Sequence, residues 1–216
     1  MFPITVCDNF LNSPDRIVEY ANRLEFFKTP DGRWPGSRTN DLKDIDESLY
    51  HYISDKILKV FYPSENVMYK FEMNFQKIKP FHKEKYHVQN RGWIHKDVGC
   101  VFGGIIYLNQ NPESDTGTSI YEDIADYPTI MPTPCRKKLY LGQPFSDSDY
   151  SDEYNELHSK FKESVTVENV YNRLLLFDSK TPHGVKTFGS GENERLTLVF
   201  FCTAICAENL YPTLRV

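Results

Sequence analysis

The clearest pattern in the chain is an alternation of period two between positions 67 and 76. Val67, Tyr69, Phe71, Met73 and Phe75 interleave with Met68, Lys70, Glu72, Asn74 and Gln76. Successive side chains on a strand point to opposite faces, so this stretch predicts a half-buried strand. A second alternation lies in the stretch Glu194 to Cys202: Leu196, Leu198 and Phe200 share one face, Arg195, Thr197 and Val199 the other. Two mostly apolar runs, Val101–Asn109 and Asn172–Asp178, predict buried strands, and Asp115–Tyr121 a shorter one. Near the N-terminus the period changes to that of a helix. Ser13-Pro14 is a helix start, followed by a stripe of Ile17, Tyr20, Ala21 and Leu24; Asp46 opens a second helix with Leu49, Ile53, Ile57, Val60 and Phe61 on one side. His51 on this helix faces solvent. A short third helix is predicted from Ser151-Asp152, with Tyr154, Leu157 and Phe161 together and His158 in a structural role. Between Glu122 and Ser151, Pro128, Pro132, Pro134 and Pro144 argue against a long regular element. A loop this long in a compact domain reads as a lid or substrate-recognition segment.

These elements predict a mainly β domain with supporting helices spanning 1–216. Residues 1–66 form the helical support, 67–121 and 165–205 the β core, and 122–164 an insertion or lid. At 216 residues the chain is long enough to bury a sizeable core. The formal net charge of -5 argues against a nucleic-acid partner, whose affinity rests on phosphate neutralisation. Four lysines and His82 between Lys77 and Lys85 read as a solvated loop, the sharper alternative being a basic lip for an acidic substrate. No apolar run approaches a membrane span, and the N-terminus lacks the features of a signal peptide. Five cysteines, an odd number without zinc-type spacing, read as reduced thiols, so a cytoplasmic protein is expected.

Candidate chemistry centres on Gly92-Trp93-Ile94-His95-Lys96-Asp97, read as a strand running out into a turn. On it His95 and Asp97 project the same way and Lys96 the other. A distant third ligand is available at His183, in Thr181-Pro182-His183-Gly184-Val185. Two imidazoles and one carboxylate with open positions suit non-haem Fe(II). A hairpin between the His95 strand and the Val101–Asn109 run puts Tyr107 within reach of the site, or else Tyr107 is a core residue. Arg195 points into the same interior as His183 if their strands pair. A buried guanidinium there either meets a protein acid or holds a carboxylate ligand. His87 reads as a surface residue, the alternative being a pocket residue. Trp34, between Arg33 and Arg38, reads as covering the core edge, the alternative being a substrate entrance.

The ordered set His95-x-Asp97, Ile106-Tyr107-Leu108-Asn109, Gly117-Thr118, Asn172 to Phe177, Pro182-His183-Gly184-Val185 and Arg195 resembles the Fe(II)/2-oxoglutarate-dependent dioxygenases, most of all their prolyl-hydroxylase-like branch. The resemblance spans roughly Tyr86 to Thr203 without the insertion. It implies a double-stranded β-helix, or jelly roll, backed by N-terminal helices. It further implies Fe(II) held by His95, Asp97 and His183, with 2-oxoglutarate and O2 as co-substrates. Arg195, with Tyr107, would contact the distal carboxylate of 2-oxoglutarate, and Thr197 falls where some branches place a Ser that also touches the co-substrate. The implied reaction hydroxylates an unactivated C–H bond of a peptidyl, prolyl-like substrate or a small molecule, releasing succinate and CO2. An acidic ligand at Asp97 favours hydroxylation over halogenation. The interval from His183 to Arg195 is longer than usual in the branch, and the insertion departs from its compact members. Two other classes remain open at this stage: a non-catalytic jelly-roll binding module, and a zinc-dependent hydrolase using the same three ligands. Consumption of 2-oxoglutarate discriminates the first, and a general base near the metal the second.

Overall fold

A computed structural model describes residues 3–63, 66–126 and 133–208. Two antiparallel sheets face each other. The larger is built from β1 (Thr5–Cys7), β2 (Phe27–Lys28), β3 (Ser37–Arg38), β4 (Met68–Ile78), β5 (Phe102–Tyr107), β8 (Leu174–Asp178) and β10 (Arg195–Cys206), in the order β1-β8-β5-β10-β4-β3-β2. The smaller holds β6 (Thr118–Asp123), β7 (Phe161–Val167) and β9 (His183–Val185), in the order β7-β6-β9. This is a mainly β fold consistent with a double-stranded β-helix.

The period-two readings set the faces. On β4 and β10, Phe71, Met73, Phe75, Leu196, Leu198 and Phe200 all turn to one side of the large sheet. There they meet helix α1 (Pro14–Ala21) and helix α3 (Glu47–Phe61) in the main core. Asp46 caps α3, its carboxylate accepting from the Leu49 N–H, as its position before the apolar stripe predicts. A short α2 (Leu42–Ile45), capped by Asp41, precedes it and has no counterpart in the sequence reading. The opposite face of the large sheet meets the small sheet. Tyr107, Ile120, Val167, Leu175 and Phe177 fill one part of that interlayer space. The rest is left open as the cavity described below.

Several local expectations are corrected. The segment 92–97 forms no regular strand; its pairing is a single bridge between His95 and His183. It makes no hairpin with β5, which lies in the other sheet between β10 and β8. Likewise β9 and β10 do not pair, so Arg195 and His183 face the same interior from opposite sheets rather than as strand neighbours. The insertion is more regular than its prolines implied. Thr133 caps helix α4 (Pro134–Leu141), accepting from the Arg136 N–H, and Gly142 ends it in the left-handed conformation at φ 67°. Pro134 occupies the first helical position, where its missing N–H costs nothing. Thr133-Pro134 thus repeats the start signal that Ser13-Pro14 carries at α1. The next helix, α5 (Asp147–His158), begins at the cap Ser146 rather than at Ser151, and Phe161 opens β7 instead of extending that helix. Pro128 and Pro132 of the insertion lie outside the described residues. Trp93 and Ile94 pack with α4 and α5 in a separate cluster containing Tyr140, Tyr150, Tyr154 and Leu157. His158 has the structural role expected of it, stacked on Tyr154 with ring centroids 3.7 Å apart.

Candidate metal and co-substrate site

His95 and Asp97 sit two residues apart on an extended segment, and His183 begins β9. The bridge fixes the two histidines opposite each other: each backbone N–H donates to the other's carbonyl at 2.9 Å. Asp97 is tied down by its own N–H, which donates to the Ser179 carbonyl at 2.9 Å. The result brings His95 Nε2 to 3.8 Å and His183 Nε2 to 3.7 Å from the Asp97 carboxylate. One ligand atom from each of the three lies within 4.8 Å of the others.

Both imidazoles are oriented in the same way. His95 Nδ1 lies 2.9 Å from the Trp93 carbonyl, and His183 Nδ1 lies 2.9 Å from the Thr181 carbonyl. A carbonyl only accepts, so each Nδ1 carries the hydrogen and each Nε2 presents its lone pair inward. These orienting groups are backbone atoms two residues upstream, so no side-chain pattern marks them in the sequence. Burial, with His183, Arg136 and Arg38 nearby, holds the His95 imidazole well below its usual pKa and therefore neutral. Burial pushes the Asp97 carboxyl up, against the cationic pull of Arg38. A desolvated carboxylate between two lone pairs fits a dication, which supplies the charge that the protein leaves out. Room for that carboxylate comes from Gly103 on β5: a Cβ there would stand 2.8 Å from Asp97 Oδ2.

The triad opens into a cavity of about 540 Å³ between the sheets, which Arg195 also borders. Arg195 is only 3% exposed. Its Nε donates to the Thr116 carbonyl at 3.2 Å, and its guanidinium lies 5.4 Å from the Tyr107 ring centroid. Its Nη2 is buried without a partner among the described residues, and so is the hydroxyl of Thr197, two residues along the same face. Unsatisfied buried donors of this kind are costly, which makes their pairing here a cue to a missing acceptor. Tyr107 is fully buried; its hydroxyl donates to Thr118 Oγ1 at 2.8 Å, and Thr118 rather than Tyr107 borders the cavity.

Of the remaining candidates Trp34 falls elsewhere than expected, whereas the lysines and His87 do not take up their sharper alternatives. Trp34 and Arg38 line the cavity instead of covering the core edge, and Arg136 and Tyr140 of α4 line it too. The lysines of 77–85 do not form a lip: Lys77 and Lys79 pair with Glu194 and Glu192, and Lys85 with Glu113. His87 stacks on His82 at 3.7 Å and does not border the cavity. Among the described lining residues Asp97 is the only carboxylate. All five cysteines are free thiols, and no described helix is long and apolar enough to cross a membrane.

A family model described as "Family of unknown function (DUF6445)" matches residues 2–187. No curated protein matches the chain. Among solved structures, HygX from Streptomyces hygroscopicus with nickel, 2-oxoglutarate and hygromycin B bound aligns with a TM-score of 0.58. It is 13% identical over 91% of this chain and 81% of that one. A prolyl hydroxylase from Trichoplax adhaerens in complex with a hypoxia inducible factor peptide aligns at 0.54, with 14% identity over 92% and 82%. The epimerase SnoN, in complex with Fe3+, alpha ketoglutarate and nogalamycin RO, aligns at 0.54 with 14% identity over 99% and 82%. At such identities the likeness establishes the shared fold.

Proposed function

We propose that this chain, which belongs to the DUF6445 family of unknown function, is an Fe(II)- and 2-oxoglutarate-dependent dioxygenase that hydroxylates an unactivated C–H bond of a peptidyl or small-molecule substrate. The observation that carries this reading is one cavity bordered by both an inward-facing two-His, one-carboxylate triad and a buried guanidinium with an unmatched N–H. The bound nickel, iron and 2-oxoglutarate of the fold neighbours support it. His95, Asp97 and His183 hold the metal. When bound, the iron with 2-oxoglutarate and O2 supplies the oxidising power, coupling release of succinate and CO2 to hydroxylation.

The chain's own residues do the rest. The Trp93 and Thr181 carbonyls lock the tautomer and aim of the two imidazoles, which raises their basicity as ligands. Arg195 receives the distal carboxylate of 2-oxoglutarate in a charge-assisted pair. The Thr197 hydroxyl adds a donor, and Tyr107 contributes together with Thr118, whose own hydroxyl hydrogen remains available after it accepts from the phenol. Ile105, Phe177 and Val199 make the wall between the ends apolar, keeping water from the reacting centre. A zinc hydrolase would need a general base beside its metal-bound water, and the described lining offers no carboxylate besides Asp97. The free thiols accord with a cytoplasmic location.

The test needs no substrate. Apo-protein is titrated anaerobically with Fe(II) and 2-oxoglutarate while the weak visible charge-transfer band of the chelate is followed. A band that saturates with both ligands is expected. Well-folded protein that gives no band at any concentration would leave the binding-module reading standing in its place.

A further inference from the structure

The end of the cavity away from Arg195 has a chemistry of its own. Arg195 and Phe201 are six residues apart on β10, about 20 Å at the usual rise of a strand. At the Phe201 end, the Arg38 guanidinium lies 5.7 Å from the Phe201 ring centroid and 4.8 Å from that of Trp34. Arg136, on α4, is 6% exposed and donates through Nη2 to the Arg33 carbonyl at 3.2 Å, clasping the helix to the loop that carries Trp34.

Three buried N–H groups here have no partner among the described residues: Arg38 Nε, Arg136 Nε and Trp34 Nε1. All are donors, and no described residue forms a salt bridge with either arginine; Asp97 and Glu72 act on Arg38 only from farther away. Although the chain carries a net -5, the cavity lining holds Arg33, Arg38, Lys96, Arg136, Lys137 and Arg195 against the single carboxylate of Asp97. Lys96 is neutralised by Asp123 at 2.8 Å and Arg33 by Asp31 at 2.7 Å, and Lys137 is exposed, which leaves Arg38 and Arg136 besides Arg195. A bound dication and the 2-oxoglutarate dianion would cancel each other, so the excess positive charge at the Arg38 end would persist in the loaded site. Burying cations without counterions is unfavourable unless a ligand brings the anion.

We propose that the substrate is a small anionic molecule whose carboxylate or phosphate is held by Arg38 and Arg136, with the Trp34 indole N–H as a third donor. The inference rests on the dioxygenase reading and narrows its substrate class. It places the substrate's charged group on the Arg38 side of the triad and the co-substrate's on the Arg195 side. The shared recognition chemistry is a guanidinium fork for a tetrahedral or planar oxyanion.

The experiment uses the full chain, anaerobic, with Fe(II) and saturating 2-oxoglutarate so that Arg195 is occupied. Inorganic phosphate, acetate and neutral acetamide are titrated separately by calorimetry and by the fluorescence of Trp34, with Trp34→Phe identifying that signal. Saturable binding of phosphate or acetate but not acetamide is expected, and the tighter of the two identifies the oxyanion. Arg38→Gln and Arg136→Gln should each weaken that binding by about tenfold or more, with 2-oxoglutarate affinity, read from the visible band, within about twofold of the parent. The retained band in the same samples shows that the variants are folded. Equal binding of acetamide, no saturable anion binding, or anion binding indifferent to both substitutions overturns the proposal. So does a loss of 2-oxoglutarate affinity in Arg38→Gln, which would assign that cation to the co-substrate. If the parent gives no visible band, the dioxygenase reading fails by itself. Phosphate and acetate titrations of the metal-free protein then decide the arginine pair separately.

Discussion

The triad and Arg195 border the same cavity but are built on opposite principles. At the triad, the orienting hydrogen bonds are already made. Each imidazole is held by a carbonyl two residues upstream, and the bridge between His95 and His183 sets their separation. At Arg195 the polar groups are left short: Nη2 of the guanidinium and the hydroxyl of Thr197 lack partners among the described residues. The first region is preorganised by backbone, so a metal can bind there with little rearrangement. The second carries an electrostatic deficit that a ligand relieves. Removing groups from the two regions should therefore have opposite effects on the empty protein.

The largest effect is expected from His183→Ala. It should abolish the Fe(II)/2-oxoglutarate band and succinate formation while the circular dichroism spectrum stays that of the parent; unchanged succinate formation would remove His183 from the site. Next comes Arg195→Met. Loss of the charge-assisted pair should weaken 2-oxoglutarate by about a hundredfold, roughly 3 kcal/mol, with Fe(II) affinity retained. The same change removes a buried, incompletely paired cation, so the apo-protein should gain stability of about 1–3 kcal/mol, visible as a higher denaturation midpoint. A lower midpoint would show that Arg195 is compensated within the protein and would undo the contrast.

Gly103→Ala probes the triad without replacing a ligand. Its Cβ would stand 2.8 Å from Asp97 Oδ2, so the carboxylate must move. Fe(II) affinity measured by titration should fall by about tenfold, with less effect on 2-oxoglutarate binding to the metal-loaded protein. Parent-like iron affinity would mean that Asp97 is not held where the metal needs it. The smallest effect is expected from Thr197→Val, which deletes a hydroxyl without a partner among the described residues at nearly constant shape. Apo stability should rise by about 1 kcal/mol and 2-oxoglutarate affinity drop a few-fold. If stability falls instead, the hydroxyl has a partner in solution, and the Arg195 region is less deficient than its geometry implies.

Much of this was legible in the chain. The alternation on β10 placed Arg195 and Val199 on the cavity side and Leu196, Leu198 and Phe200 in the core. The spacing His95-x-Asp97 placed two ligand types on one side of an extended segment, with His183 as the available third. Helices α1 and α3 followed from their start signals and stripes. Helix α4 escapes the sequence pattern because prolines within a segment signal breaks, although Thr133-Pro134 carries the same start signal as Ser13-Pro14. Trp34 lines the cavity rather than the core edge, and nothing in Arg33 to Arg38 says which neighbour the indole will meet.

What the sequence determined by itself was therefore local: which residues alternate, where helices start, and which side chains have chemistry to offer. Periodicity is a property of consecutive residues, so it sets the faces of an element without saying what lies opposite. The tertiary structure alone decided that His95 bridges His183 while β5 and β10 lie in the other sheet. It also decided that Gly103 clears space for a carboxylate and that Arg38 and Arg136, far apart in the chain, border one cavity. Those are consequences of strand order and sheet-on-sheet packing, which depend on contacts between distant segments. A pattern in one segment carries no record of them.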